Sequence, residues 1–295
     1  MKKTSMSSKL FVIFNYVFLA VLSLLCLLPF IHLLAVSFSS SSAVSAGQVA
    51  FIPVDFTLSS YEFAMRGGKF MAAMWQSVKL VFLGTVVNLI MMILTAYPLS
   101  KRKDELLGRN IYMTFFVITM IVSGGMIPTY LTVVNVGLKN SLLALILPGA
   151  LPVYNMVILM NFVRSLPIEL QEAAKIDGAS EIEVLFKIVL PLLKPALATV
   201  GLFCIVGHWN NWFGGIIYLN DTASYPLATY LRSLLVDMES IIRNSNGNYT
   251  QIISQMNART GRAAQLFMGM IPVLLVYPFL QKYFTTGLTL GSVKG

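Results

Sequence analysis

Charge is what this chain has least of. Asp, Glu, Lys and Arg together make up 11% of its 295 residues, against roughly 25% in an ordinary soluble domain. The deficit runs along most of the length, and the mean hydropathy is +0.77. Both facts exclude a soluble globular chain and put the sequence in the membrane class. Cysteine is almost absent. Cys26 and Cys204 lie inside apolar runs with no Cys or His at metal-ligand spacing, so neither a disulfide framework nor a metal site is expected. None of the 12 acidic residues falls inside a long apolar run, whereas proton-coupled carriers and pumps carry carboxylates within the membrane as relays. A phosphate-binding G-x-x-x-x-G-K-[ST] loop is also missing. The nearest approach, "MRGGKF" at 65–70, lacks the first glycine and the hydroxyl after the lysine. There are no paired carboxylates and no G-x-S-x-G. The chain is expected to be no enzyme and to hold no catalytic residue, cofactor or metal. The net charge of +9 is spread between apolar runs and forms no patch, so it points to membrane topology and not to nucleic acid.

What is present is a set of long apolar runs. A membrane-spanning helix needs about 20 mostly apolar residues. Six runs qualify: 10–36, 78–99, 111–131, 142–162, 189–213 and 263–284. The fold class is therefore all-α integral membrane with six transmembrane helices. The first run follows Lys2, Lys3 and Lys9, as a signal peptide would, but it is far longer than the 7–15 apolar residues of a signal, and it is expected to stay. Orientation follows from the cations. With the N-terminus inside, thirteen of the 21 Lys and Arg residues fall in inner segments, among them the tight loop "KRKDELLGR" at 101–109. The positive-inside rule then places both termini and residues 164–188 in the cytoplasm. The chain divides into a cytoplasmic N-terminus 1–9, a first helix 10–36, an outer loop 37–77, a transmembrane core 78–213, an outer loop 214–262, a sixth helix 263–284 and a cytoplasmic tail 285–295. The first outer loop opens with "SFSSSSAVSAG", which reads as a low-complexity linker. A Thr or Ser is expected to cap a short helix starting near Leu58.

Between the fourth and fifth runs lies the most charged stretch, "QEAAKIDGASEIEVLFKIVLPLLKP", 171–195. Pro167 is tolerated in the first turn of a helix, and "IELQEAAKI" continues it with Ile168, Ala173 and Ile176 on one stripe. Gly178 can take the positive φ that ends it. Ser180, with Glu183 three residues on, has the pattern of a capping box that opens a second helix carrying Ile182, Leu185 and Phe186. The small Ala173 and Ala174 let a partner backbone approach, and Glu169, Glu172 and Glu181 offer carboxylates to basic groups. Anionic lipid would repel those acids, so the bracket is expected to dock on a protein.

Glu172, Ala173, Ala174, Gly178, Ile188, Leu190 and Pro191 stand at the spacing of the EAA loop. On these residues the chain resembles the permease subunits of ABC importers, the inner-membrane components that work with an extracellular binding protein. "DGAS", "HWNNWFGGIIYLND" and "YPLATYLRSLL" are similar to the sugar-importing branch, in particular the group taking up complex oligosaccharides. The resemblance implies that the loop is a coupling helix seated in a cytoplasmic ABC ATPase dimer, with Glu169, Glu172, Ala173, Ala174, Asp177 and Gly178 at the dock. ATP and Mg would sit on that partner. It further implies a second, heterologous permease subunit, an extracellular sugar-binding lipoprotein, an oligosaccharide substrate, and a bacterial cytoplasmic membrane. Peptide or amino-acid cargo is the alternative within the same machine, and a secondary carrier lies further off. Polar residues inside spans face cavities or other helices. Tyr154, Asn155, His208, Trp209, Asn210, Asn211 and Trp212 are the candidates for the substrate path, because rings stack on sugar C–H faces and amides bond hydroxyls. Interface belts and helix–helix bonds explain the same residue types. Asn88 fits a helix–helix bond best, and both histidines, near span ends, fit structural hydrogen bonds.

Overall fold

The computed structural model describes residues 6–66, 68–244, 259–276 and 278. The sixth expected span lies only partly within them, and the expected tail lies outside. Every regular element among the described residues is helical. They are α1 (Met6–Ser37), α2 (Ser41–Ser45), α3 (Ser59–Met65), α4 (Lys69–Ser100), α5 (Arg109–Ile121), α6 (Met126–Asn135), α7 (Leu143–Gly149), α8 (Val153–Ser165), α9 (Ile168–Ile176), α10 (Glu181–Leu192), α11 (Lys194–Trp209), α12 (Phe213–Tyr218), α13 (Leu227–Asn244) and α14 (259–276).

Two of the expected spans are single long helices, α1 and α4, and both are longer than the sequence runs suggested. Three are broken. The α5–α6 pair bends by 112°, α7–α8 by 54° and α10–α11 by 79°. Each break has a local cause. Gly125 sits at φ +87° between α5 and α6, a conformation that side chains resist. Pro148 and Pro152 interrupt the ladder between α7 and α8 by removing two N–H donors. Pro191 cannot donate to Lys187, and the preceding turn widens so that Leu190 N–H reaches Leu185 C=O, five residues back. Pro195 repeats the defect one turn later, and the chain turns at Leu193.

Two compact units can be distinguished, one from the N-terminal part through Phe70 with Ser233–Ile271, the other from Met71–Arg232 with the chain from Pro272. In the first unit the serine-rich segment is not a loose linker. Ser37 and Ser39 are fully buried. Ser39 Oγ donates to Ala35 C=O (2.7 Å) and accepts from Val54 N–H (3.0 Å), and Ser40 caps α2 through Ala43 N–H (3.2 Å). Short hydroxyls here replace backbone partners where the chain leaves α1. At α3 Thr57 Oγ accepts from Ser59 N–H (3.2 Å). No residue in the most apolar stretch of α1 is buried within the chain, as expected of a helix solvated by lipid or by another subunit.

In the second unit the core joins α4, α8, α10 and α11. Met92 and Ala96 of α4 pack with Met156, Leu159 and Met160 of α8, Val184 and Val189 of α10, and Val200 of α11. This core holds the charged bracket of 164–188 against the end of α4.

Candidate functional site: the EAA element and a polar cavity

The bracket forms as the sequence implied. Helix α9 ends at Ile176, Asp177 and Gly178 close it through bonds to Ala173 and Lys175 carbonyls, and Gly178 sits at φ +86°. Ser180 Oγ accepts from Glu183 N–H (3.3 Å) while Glu183 Oε2 accepts from Ser180 N–H (3.0 Å), so the capping box is complete. The hydrogen bond from Lys187 (2.7 Å), then that from Ser180 N–H, holds the Glu183 carboxyl at about 2. Glu169, Glu172, Ala173, Asp177 and Gly178 face solvent, while Ala174 turns half-buried into the core. Three large apolar side chains stand out of the bracket: Ile176 is 86% exposed, Ile182 69% and Phe186 62%.

Glu181 is the surprise of this element. Its carboxylate, though about half exposed, is engaged within the chain. It pairs with Lys175 (2.6 Å) and Lys101 (3.0 Å) and accepts from the Tyr97 hydroxyl (2.7 Å). Lys175 also reaches Glu105 (3.4 Å), and Lys101 donates to Gln171 (3.0 Å) while lying 4.4 Å from the Tyr97 ring centroid. Arg109 and Arg164 both donate to the Leu99 carbonyl, at 2.9 and 3.0 Å. The bracket is thereby strapped to the end of α4 and to the 101–109 loop. The 79° bend sets charged α10 apart from the apolar α11. Burial opposes ionisation of Glu181, but the hydrogen bonds from Lys175, Tyr97 and Lys101 outweigh it and hold the carboxyl at about 2. The hydrogen bond to Glu181 raises Lys175, and the Arg102 N–H leads the groups that lower Glu105. Lys101 counts in the sequence only as a topology marker, and Glu105 only as an acid outside the apolar runs. The opposite charges of "KRKDE" and "EAAK…SEIE" are visible in the sequence, but not which of them pair.

Toward the other end of the same unit lies a cavity of ≈ 460 Å³ lined by Asn88, Asn155, His208, Asn211 and Tyr218 among others. That size is within the range of small-ligand sites, about 300–1,000 Å³. Asn88 is buried and works as a clamp. Its amide donates to Gly149 C=O (2.8 Å) and Ala150 C=O (2.9 Å), the carbonyls released at the α7–α8 break. Both amide hydrogens are then used, so Asn88 Oδ1 faces His208 Nε2 at 2.7 Å as acceptor, and Nε2 must carry the proton. The His208 ring lies so close over Gly84 that a Cβ there would come within 2.5 Å of Nε2. Asn155 donates to Cys204 Sγ (3.8 Å), and Asn211 Oδ1 accepts from Gly214 N–H (3.1 Å). Asn155 Oδ1, Asn211 Nδ2 and the Tyr218 hydroxyl have no bonding partner among the described residues and are available to a polar ligand.

Of the residues expected along a substrate path, Asn155, His208 and Asn211 are thus brought together. Tyr154 and Asn210 are exposed outside this cavity. Trp209 lines a separate apolar groove with Phe82 and Pro272. Trp212 lies edge-on to Phe213, with Arg232 5.2 Å from its ring centroid. Asn88 and Tyr218 are cavity residues that the sequence reading did not place there. Both histidines are hydrogen-bonded, His32 to Ala50 C=O at 2.6 Å.

Broken apolar helices around a polar cavity, with a charged bracket at the far end, define an all-helical membrane permease. The family of binding-protein-dependent transport system inner membrane components matches residues 70–289, and the chain belongs to it. It is 41% identical over 292 residues to the polygalacturonan/rhamnogalacturonan transport system permease protein YtcP of Bacillus subtilis (strain 168), covering 98% of this chain and 100% of that one. It is 38% identical over 289 residues to Protein LplC of the same organism, covering 98% and 96%. Among solved structures, a chain of a bacterial ABC transporter involved in the import of the acidic polysaccharide alginate superposes with a TM-score of 0.86 at 32% identity, covering 96% of this chain and 100% of that one.

Proposed function

We propose that this chain is one membrane subunit of an ATP-driven importer that carries acidic oligosaccharides across the bacterial cytoplasmic membrane. The observation that carries the machine is the EAA element. A capped, ion-strapped bracket that leaves Ile176, Ile182 and Phe186 in water is a surface waiting for a protein. A cytoplasmic ABC ATPase dimer, holding ATP and Mg, is the partner that fits the resemblance. Glu169, Glu172, Ala173, Asp177 and Gly178 would lie at that dock. A second permease subunit would complete the path, and an extracellular sugar-binding lipoprotein would deliver the cargo. The broken helices are read as three of six spans, with both termini inside. The connectivity is consistent with that reading. The 101–109 loop meets the bracket at one end of the bundle, and Asn140 meets Tyr218 and Asn220 at the other.

The cargo follows from the cavity and from the relatives. Amide, imidazole and phenol groups suit sugar hydroxyls. Two of the similar proteins name acidic polymers, polygalacturonan/rhamnogalacturonan at 41% identity and alginate at 32%, whereas relatives at 26–29% identity name arabinooligosaccharides, melibiose/raffinose/stachyose and galactooligosaccharides. The test is reconstitution of this chain with its second permease, ATPase and binding protein in proteoliposomes. Uronate oligomers should stimulate ATP hydrolysis and accumulate inside. Stimulation by peptides and by no sugar would sink the cargo assignment and leave the coupling argument standing.

A further inference from the structure

The loop between α6 and α7 carries Lys139, and the fold holds this lysine against Tyr130, whose ring stacks on the cavity-lining Tyr218. Asn140 adopts φ +61°, and Gly137 φ +77°. Asn140 N–H donates to Tyr218 C=O (2.8 Å), and Asn140 Oδ1 accepts from Asn220 N–H (3.1 Å), so the loop is pinned to the segment that follows α12. Lys139 Nζ donates to the Tyr130 hydroxyl (3.0 Å). The Tyr130 ring in turn lies parallel to Tyr218, with centroids 6.2 Å apart and an angle of 12°. Tyr218 lines the polar cavity. Lys101, Lys175 and Lys187 all face carboxylates. Lys139, exposed and held in place, has none among the described residues.

We infer that Lys139, with the Tyr130–Tyr218 pair, is a specificity-determining site for the carboxylate of a uronic acid residue as it enters the cavity. This rests on the oligosaccharide-importer reading above. An ammonium donates charge-assisted hydrogen bonds to a carboxylate, and phenolic rings offer faces and a hydroxyl to the adjoining sugar ring. The preorganised loop avoids the entropy of ordering a free lysine on each passage. A neutral sugar of the same shape would gain only the ring contacts. The site therefore discriminates by charge, where the amides of the cavity recognise hydroxyls.

The experiment uses the complete importer in proteoliposomes at saturating binding protein, with trigalacturonate and its methyl ester as probes. Uptake rates are compared for the wild type, Lys139→Met and Lys139→Arg. Lys139→Met should lower the ratio of acid to ester uptake about tenfold, with ester uptake unchanged, and Lys139→Arg should restore most of the ratio. Co-purification of all subunits checks assembly. An unchanged ratio in Lys139→Met, or an equal fall for both probes, would overturn the assignment. Failure of the wild type to import either probe would instead remove the acidic-oligosaccharide reading on which the assignment rests.

Discussion

Asn88 does at one position what a broken transmembrane helix requires. The break between α7 and α8 leaves the Gly149 and Ala150 carbonyls without helical partners, and apolar surroundings offer them no water. One buried amide bonds both and still orients His208. Asn88→Ala should therefore destabilise the chain by about 1–2 kcal/mol, the upper range for interhelical hydrogen bonds in membranes; thermal unfolding in detergent reads it as a lowered Tm. Gly84 is the other half of this contact. A methyl group at Gly84 collides with the His208 ring, and overpacking of this kind costs about 1–3 kcal/mol. Gly84→Ala should lower Tm, and His208→Ala in that background should recover part of the loss. Equal and additive losses in the double variant would mean that the two residues do not press on each other.

The strap between the bracket and α4 is the feature to test at the level of elements. Glu181 ties Tyr97 and Lys101 to Lys175, so a push on α9 or α10 reaches the end of a 32-residue helix that also carries Asn88 and Gly84. Glu181→Gln removes the charge while keeping the shape. ATP hydrolysis by the assembled importer should persist, and sugar imported per ATP should fall several-fold. A proportional fall in both would make Glu181 a merely structural residue. The pH dependence has a definite sign. The folded carboxyl sits at about 2, below the ordinary carboxylate value of about 4.3. Its contribution is complete above that ordinary value and is lost as pH falls toward 2. The Glu181 side chain is 54% exposed, so screening keeps the effect small. The wild type should lose more Tm than Glu181→Gln between about pH 4.5 and 2.5, and the two should run parallel at neutral pH.

For the whole molecule, the exposed apolar face of the bracket is the proposed contact with the ATPase. Phe186→Asp should abolish co-purification of the ATPase with the membrane subunits while leaving Tm close to wild type, because Phe186 is 62% exposed and outside the core. Retention of the ATPase would place the dock elsewhere. Gly178 adds a conformational test. A residue with a Cβ in the left-handed region costs roughly 1–2 kcal/mol, so Gly178→Ala should weaken coupling moderately, and Gly178→Pro, whose ring fixes a negative φ, should eliminate it. ATPase stimulation by loaded binding protein reads both.

The amino-acid sequence by itself determined the membrane class, the helical content and the bracket of 164–188. Apolar runs, a glycine forced to positive φ, and a Ser-x-x-Glu capping box depend on neighbours in the chain, and such signals are local. It also carried Asn155, His208 and Asn211 as polar residues in apolar runs, since a buried polar group needs a partner wherever it lies. Only the tertiary structure decided that three of the apolar runs form sharply bent helix pairs, because such a break holds where another helix meets the carbonyls it exposes, as Asn88 does from 61 residues away. It likewise decided that the serine-rich segment packs, that Glu181 pairs with Lys101 across the fold, and that Lys139 meets the cavity-lining Tyr218 through Tyr130. Those facts rest on pairings between residues distant in the chain, and neither spacing nor composition encodes which distant charge a carboxylate will meet.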